Sequence, residues 1–350
     1  MCHTELEHRA ESLCAREARD GGELAGLLRL VACMAGALED APIDAAPLHV
    51  AMSVRARGPW RQALARFARR PLGVGALAVL VTFVLVGALA DVIAPYPAGQ
   101  LFIQFIQNPQ PPLTAHHLLG TDVLSRDLLT QILFAVRQTM LAAVVCAAIT
   151  TAAGVVVGML AGYFGGWFDA LVTWASGIVV AVPAMAVLVI ISAFHHFALS
   201  PLSFALWLSA ILWTGVARVV RAAVASSRTA EFVEAAQAAG ASSLRVLLRH
   251  LLPNASGPIV VAATSVVGQA IVIVATVQYL GYAFNQPEHP TLGGLVADAT
   301  HASSLILTGH VGLSSFWWLY VFPAALLVIL LLAVTFLGDA LDEALNPATR

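Results

Sequence analysis

Glu234-Ala-Ala-Gln-Ala-Ala-Gly240, followed after nine residues by His250-Leu-Leu-Pro253, is a polar interruption in a chain otherwise built of apolar runs. Thr229 reads as an N-cap and Glu231 falls in the first turn, where a negative side chain favours the positive helix end. Phe232, Val233 and Ala236 make a small apolar stripe, and Gly240 suits the left-handed residue that ends a helix. Ser242 or Ser243 then caps a second helix carrying Arg245, Arg249 and His250, which Pro253 stops. The expected product is a knob of two short helices with apolar tips and charged flanks. Its polar face gains nothing from a bilayer, so it needs an aqueous partner or, as the alternative, lies as a linker on the membrane surface.

Outward from the knob, the chain is long apolar stretches. Of 350 residues, 59% are hydrophobic and 11% charged, less than half the charge of an ordinary soluble domain. Six stretches, near 71–94, 138–162, 169–194, 199–223, 257–284 and 316–338, each approach the ~20 residues that cross a bilayer as a helix. The fold class is therefore an all-α membrane protein with six transmembrane helices. Arg55, Arg57, Arg61, Arg66, Arg69 and Arg70 precede the first span, and the positive-inside rule places them in the cytoplasm. Six crossings then put both termini and the 229–253 loop, with Arg221, Arg228, Arg245 and Arg249, on that side. The loops at 95–137 and 285–315 hold only Arg126 and Arg137 and face outside.

Within the spans, Gly154, Gly158 and Gly162 form a small-residue ladder suited to close helix packing. Pro183 and Pro323 are expected to kink the third and sixth spans. Trp167, Trp317, Trp318 and Tyr320 fall near span ends, where amphipathic rings favour the interface. The span interiors lack ionisable residues of the kind that carry coupling in proton- or sodium-driven carriers.

Several chemistries are excluded or unsupported. The chain has no lysine, its 18 basic residues being arginine, so it has no Walker A lysine and any ATP hydrolysis belongs to another polypeptide. A net charge of −2 offers no nucleic-acid footprint. Cys2, Cys14, Cys33 and Cys146 have neither disulfide-framework nor zinc spacing. His116/His117 and His195/His196 carry good metal ligands, but adjacent imidazoles seldom converge on one ion, so they read as loop residues. Residues 1–54 hold an acidic extension with little expected structure and no signal-peptide pattern.

The knob resembles the EAA signature of ABC importer permeases: Glu234, Ala235, Ala236, Gly240 and Pro253 stand at that family's spacing. The run Arg249-His250-Leu251-Leu252-Pro253-Asn254 looks like the dipeptide, oligopeptide and nickel branch. So do Leu119-Gly120-Thr121-Asp122 with Arg126-Asp127, a drifted Ala135-Val136-Arg137-Gln138-Thr139, and the ending Gly338-Asp339-Ala340-Leu341-Asp342-Glu343-Ala344-Leu345-Asn346-Pro347. Together these cover about residues 57 to 350, and an initiation at Met52 would suit that match. Departures are Ser125 for a family glycine, Val274 for a glutamate in the fifth span, and Asp342-Glu343 for Arg-Asp.

The resemblance implies a type I ABC importer permease fold with a cytoplasmic coupling helix. Its expected organisation is an extension at 1–54, a first span and outer loop at 55–134, a permease core at 135–342 with the loop at 229–253, and a tail at 343–350. It implies a bacterial inner-membrane location, a heterodimer with a second permease subunit, two cytoplasmic ATPase domains that bind ATP and Mg²⁺, and an extracytoplasmic substrate-binding protein. The coupling residues implied are Glu231, Glu234, Ala235, Ala236, Gly240, Arg245, Arg249, His250 and Pro253. Di- or oligopeptides are the expected cargo, with nickel or another small solute as alternatives within the same machine. A secondary carrier or channel is the alternative of another class; it predicts a buried charge or a repeated half, and the sequence has neither.

Overall fold

The computed structural model describes residues 59–97, 99–101, 109–114, 117–122, 124–194, 200–282, 290–306 and 316–345, all within one compact unit, Pro59–Arg350. The expectations for the acidic extension, for His116 and for the His195/His196 pair lie outside the described residues.

The helices in chain order are α1 (Pro59–Phe67), α2 (Pro71–Ala88), α3 (Leu128–Phe164), α4 (Gly166–Ala181) and α5 (Ala184–Phe194). They continue as α6 (Pro201–Ser227), α7 (Glu231–Ala238), α8 (Ser256–Tyr279), α9 (Leu292–Ile306) and α10 (Trp317–Leu345). Five of these, α2, α3, α6, α8 and α10, are long and apolar enough to cross a membrane alone. The sixth span is the pair α4–α5, bent by 73° where they meet. Pro183 breaks this span outright. Val182, just before it, takes the extended conformation (φ −92°, ψ 126°) that the pyrrolidine ring imposes on its predecessor. Pro323, by contrast, lies inside the continuous α10.

The second span starts earlier than its apolar run suggests. Asp127 caps α3, accepting from the Thr130 amide at 2.8 Å, so helix begins at Leu128 rather than near 138. At 37 residues α3 is roughly 55 Å long, well beyond the ~30 Å of a hydrocarbon core. Arg137 thus sits on the helix and pairs with Asp91 at 2.8 Å.

The glycine ladder makes a tight seam along α3. A Cβ on Gly154 would lie 2.5 Å from Val216 Cβ, one on Gly158 2.6 Å from the Ala217 carbonyl, and one on Gly162 2.7 Å from the Arg221 carbonyl. Contacts advance together along both chains, so α3 and α6 run parallel. Lipid provides no hydrophobic drive between helices, and backbone approach of this kind supplies the packing instead.

Other contacts orient the remaining elements. Gly73, at the start of α2, meets Ala340 near the end of α10, and Gly87 meets Arg137 near the start of α3. Gly257 faces Leu345. The Arg66 guanidinium donates to the Ala344 carbonyl at 3.3 Å, and Arg70 pairs with Glu343. Therefore α1, the start of α2, the end of α10 and the α6–α8 connection all share one end of the bundle. The core cluster between these ends draws on α3, α5, α6, α8, α9 and α10, with Leu188, Phe204, Ile271, Val274 and Leu330 almost fully buried.

The helix α9 occupies part of the 285–315 stretch that the sequence suggests is outer loop. Its signal is present: Leu292, Leu295 and Ala299 recur at helical spacing and all three are buried. Trp318 also departs from the interfacial expectation. It is 4% exposed and its indole points to the Thr121 carbonyl, 3.5 Å away, over Gly120.

Candidate functional site

The polar loop folds as a knob whose first arm is α7. Ala230, not Thr229, occupies the N-cap, in extended conformation and without a side-chain bond. Glu231 and Glu234 stand in the first turn, where the unpaired amides favour negative charge. The arm ends as the spacing required: Gly240 has φ +80°, its amide donates to the Gln237 carbonyl and the Ala241 amide to Ala236. That pair of bonds is a Schellman turn, which needs a left-handed residue at its glycine position.

The second arm starts at Ser242, extended but again without a side-chain cap. It runs through Ser243–Val246, a π turn at Leu247–Leu251, and Leu252–Asn254 into α8 at Ser256. Pro253 does not stop it. A proline in an α-helix clashes with the carbonyl four residues back. The wider turn beside it, with the Leu252 amide reaching Leu247, relieves that crowding. The second arm is thus the leading end of the fifth span.

The two faces of the knob differ sharply. Val233, Val246, Leu247, Leu251 and Ala255 are buried against Val216, Val220 and Val224 of α6 and Met159 of α3. Outward, Leu244 is 65% exposed, Leu248 53% and Phe232 43%. Glu231, Glu234, Ala235, Gly240, Arg245, Arg249 and Pro253 are exposed beside them, while Ala236 and His250 are half-buried. Apolar tips ringed by both signs of charge are suited to a groove on a soluble protein. Polar ties fix the base: Asn254 Nδ2 donates to Ser227 Oγ at 3.0 Å, and Arg228 to the Tyr163 carbonyl at 3.2 Å.

At the opposite end, Leu119–Asp122 and Leu124–Asp127 lie over the start of α3. Asp122 accepts from the Arg126 amide at 2.7 Å and its Nε at 2.6 Å, and Arg126 reaches Asp298 of α9 at 3.2 Å. His117 Nδ1 lies 2.9 Å from Asp127 Oδ1, both groups being 2% exposed. The residues of this motif are structural: they close a loop and cap a helix.

Between the ends, α8 is flanked by two adjoining hollows. One of about 450 Å³ lies toward α10, the other of about 400 Å³ toward α6; Val261, Ser265, Gln269 and Asp342 line both. Val274 faces the other way, 1% exposed in the core. The glutamate that the family has there would not line this groove.

The family described as binding-protein-dependent transport system inner membrane component matches residues 154–350, and the N-terminal TM domain of oligopeptide transport permease C matches residues 58–112. The oligopeptide transport system permease protein OppC of Mycobacterium tuberculosis is 33% identical over 285 residues, 81% of this chain and 93% of that relative. The glutathione transport system permease protein GsiD of Escherichia coli is 31% identical over 310 residues, 89% and 97% of the two chains. With the bundle of five spans and a bent sixth, these matches make the chain a multi-pass membrane protein and a member of the ABC importer permease family, in its oligopeptide-permease branch.

Proposed function

We propose that this chain is one of two permease subunits of an ATP-driven importer for di- or oligopeptides, and that α7 and the second arm dock on a separate ATPase. The knob carries the reading: an exposed apolar and charged face, set on a base continuous with a membrane span. Closure of two ATPase domains on ATP and Mg²⁺ moves the knob, and α8 moves with it. The chain itself hydrolyses nothing. The groove along α8, with Ser265, Gln269 and Thr264, contributes one wall of the pathway, completed by the second permease subunit. The arginine bias places the knob end, and with it both termini, in the cytoplasm, so an outer binding protein delivers cargo to the other end. Peptide cargo is supported by the names of the relatives, which transport oligopeptides and glutathione.

The test is Gly240→Val and Glu234→Arg in the assembled transporter. A Cβ at Gly240 meets nothing within 4 Å, so valine acts only through the positive φ, which costs it roughly 1 kcal/mol or more. Both variants are expected to insert and to pair with the second permease while losing the ATPase subunits on purification, together with ATP-dependent uptake. Full ATPase retention and full uptake in both would refute docking at this loop.

A further inference from the structure

The third span is built unlike the other five. Its first half, α4, is a 16-residue helix with a joint at each end. At one end Gly165 and Gly166 have φ +65° and +61°, so the chain leaves α3 through two successive left-handed residues. At the other end is the 73° break at Val182–Pro183. Between the joints Ser176 alone is buried; Trp174 is 67% exposed, Val180 53% and Ile178 48%. Beyond the break, α5 buries Leu188 and Ser192 almost completely and exposes Phe194.

One link holds this rod near the knob. Asp169, in the first turn of α4, receives both Nε and Nη2 of Arg221, the latter at 2.6 Å. Among the described residues it is the side-chain polar tie between α4 and any other helix. A bidentate carboxylate–guanidinium fork fixes orientation as well as distance. Arg221 belongs to α6, less than two turns before Ser227, which accepts from Asn254 at the base of the knob, and Arg228, which donates to the Tyr163 carbonyl at the end of α3.

We propose that α4 is a moving arm of the transport cycle, and that the Arg221–Asp169 fork is the positioning pair that makes it follow the docking knob. The proposal rests on the docking reading above. When the ATPase displaces the knob, the end of α6 and the α3 backbone packed on Arg221 move together, and the fork holds the near end of α4 to that pair. The rod then pivots at Val182–Pro183 relative to α5. Without the fork the knob still binds the ATPase, but α4 swivels at Gly165–Gly166 instead of following it.

The experiment uses the full transporter in proteoliposomes, in a background with Cys2, Cys14, Cys33 and Cys146 changed to Ser. Spin labels at Ile178→Cys on α4 and Leu206→Cys on α6 report their separation, with and without ATP plus vanadate. The parent should show a nucleotide-dependent distance change. Asp169→Asn should abolish it and lower peptide uptake per ATP hydrolysed about fivefold or more, with the ATPase subunits still bound. The charge exchange Asp169→Arg with Arg221→Asp should restore both quantities. No distance change in the parent, an unaltered change and ratio in Asp169→Asn, or no recovery in the exchange would each overturn the proposal. A failure of docking itself shows separately, as Gly240→Val keeping its ATPase.

Discussion

Ser125 shows how much a single residue can cost when its backbone is dictated by a turn. It holds φ +61° between Asp122 and Arg126, and its hydroxyl is buried without a hydrogen-bond partner. Non-glycine residues in that region are strained, and an orphaned buried hydroxyl adds a desolvation cost. Ser125→Gly removes both and is expected to stabilise the protein by about 1 kcal/mol, read as a raised melting temperature in detergent. The resemblance pointed to a glycine at 125; why one belongs there is visible only in the turn. The same holds for Asp122 and Asp127, recognisable as a pattern in sequence but with no role attached. Gly240 was legible outright, because helix ends demand positive φ in a way that spacing reveals. The site's caps were not: Thr229 was as good a candidate as any, but the backbone of Ala230 takes the position with no side chain involved.

Among the elements, the α3–α6 seam leaves no room for an added side chain. Gly158→Val puts methyl groups onto the Ala217 carbonyl and Val220, and should destabilise by about 1–3 kcal/mol in a thermal melt. Gly177→Ala, with nothing within 4 Å of its added carbon, should melt like the parent. Equal tolerance at both sites would show that the seam relaxes freely. The ladder was readable because three glycines at four-residue spacing imply one helix face. Element ends were harder. Asp127 decides where α3 begins, and Arg137 separates the helical residues before it, most of them apolar, from the apolar run that follows. Proline gave two opposite outcomes, a break at 183 and uninterrupted helix at 323, because neighbouring packing decides which one follows.

For the whole molecule, composition alone carries the membrane assignment, and arginine placement is the ground for the proposed orientation. The structure adds that α1, the knob and the end of α10 share one end, which an even number of crossings requires. In a cysteine-free background, Ser242→Cys should resist a membrane-impermeant thiol reagent applied from outside, and Leu118→Cys, 59% exposed at the other end, should react. The reverse pattern would invert the molecule and place the knob away from any cytoplasmic ATPase. What hydropathy could not convey is continuity. Pro253 reads as a stop, so the knob looked detachable from the fifth span, whereas it is that span's own beginning.

The π turn at Leu247–Leu251 gives that continuity a further consequence. An α-helix advances about 100° per residue, so the one extra residue in this turn acts as a phase shifter between two stretches of a single rod. It sets the azimuth of Leu244 and Leu248 independently of the azimuth of Ser265 and Gln269. Deleting one residue inside the turn would return it to α geometry and leave the outward face of the arm at nearly its present azimuth relative to the groove. Deleting one from the regular helix after Ser256 would swing that face by about 100°, so the length of this segment is as much a part of the interface as its side chains.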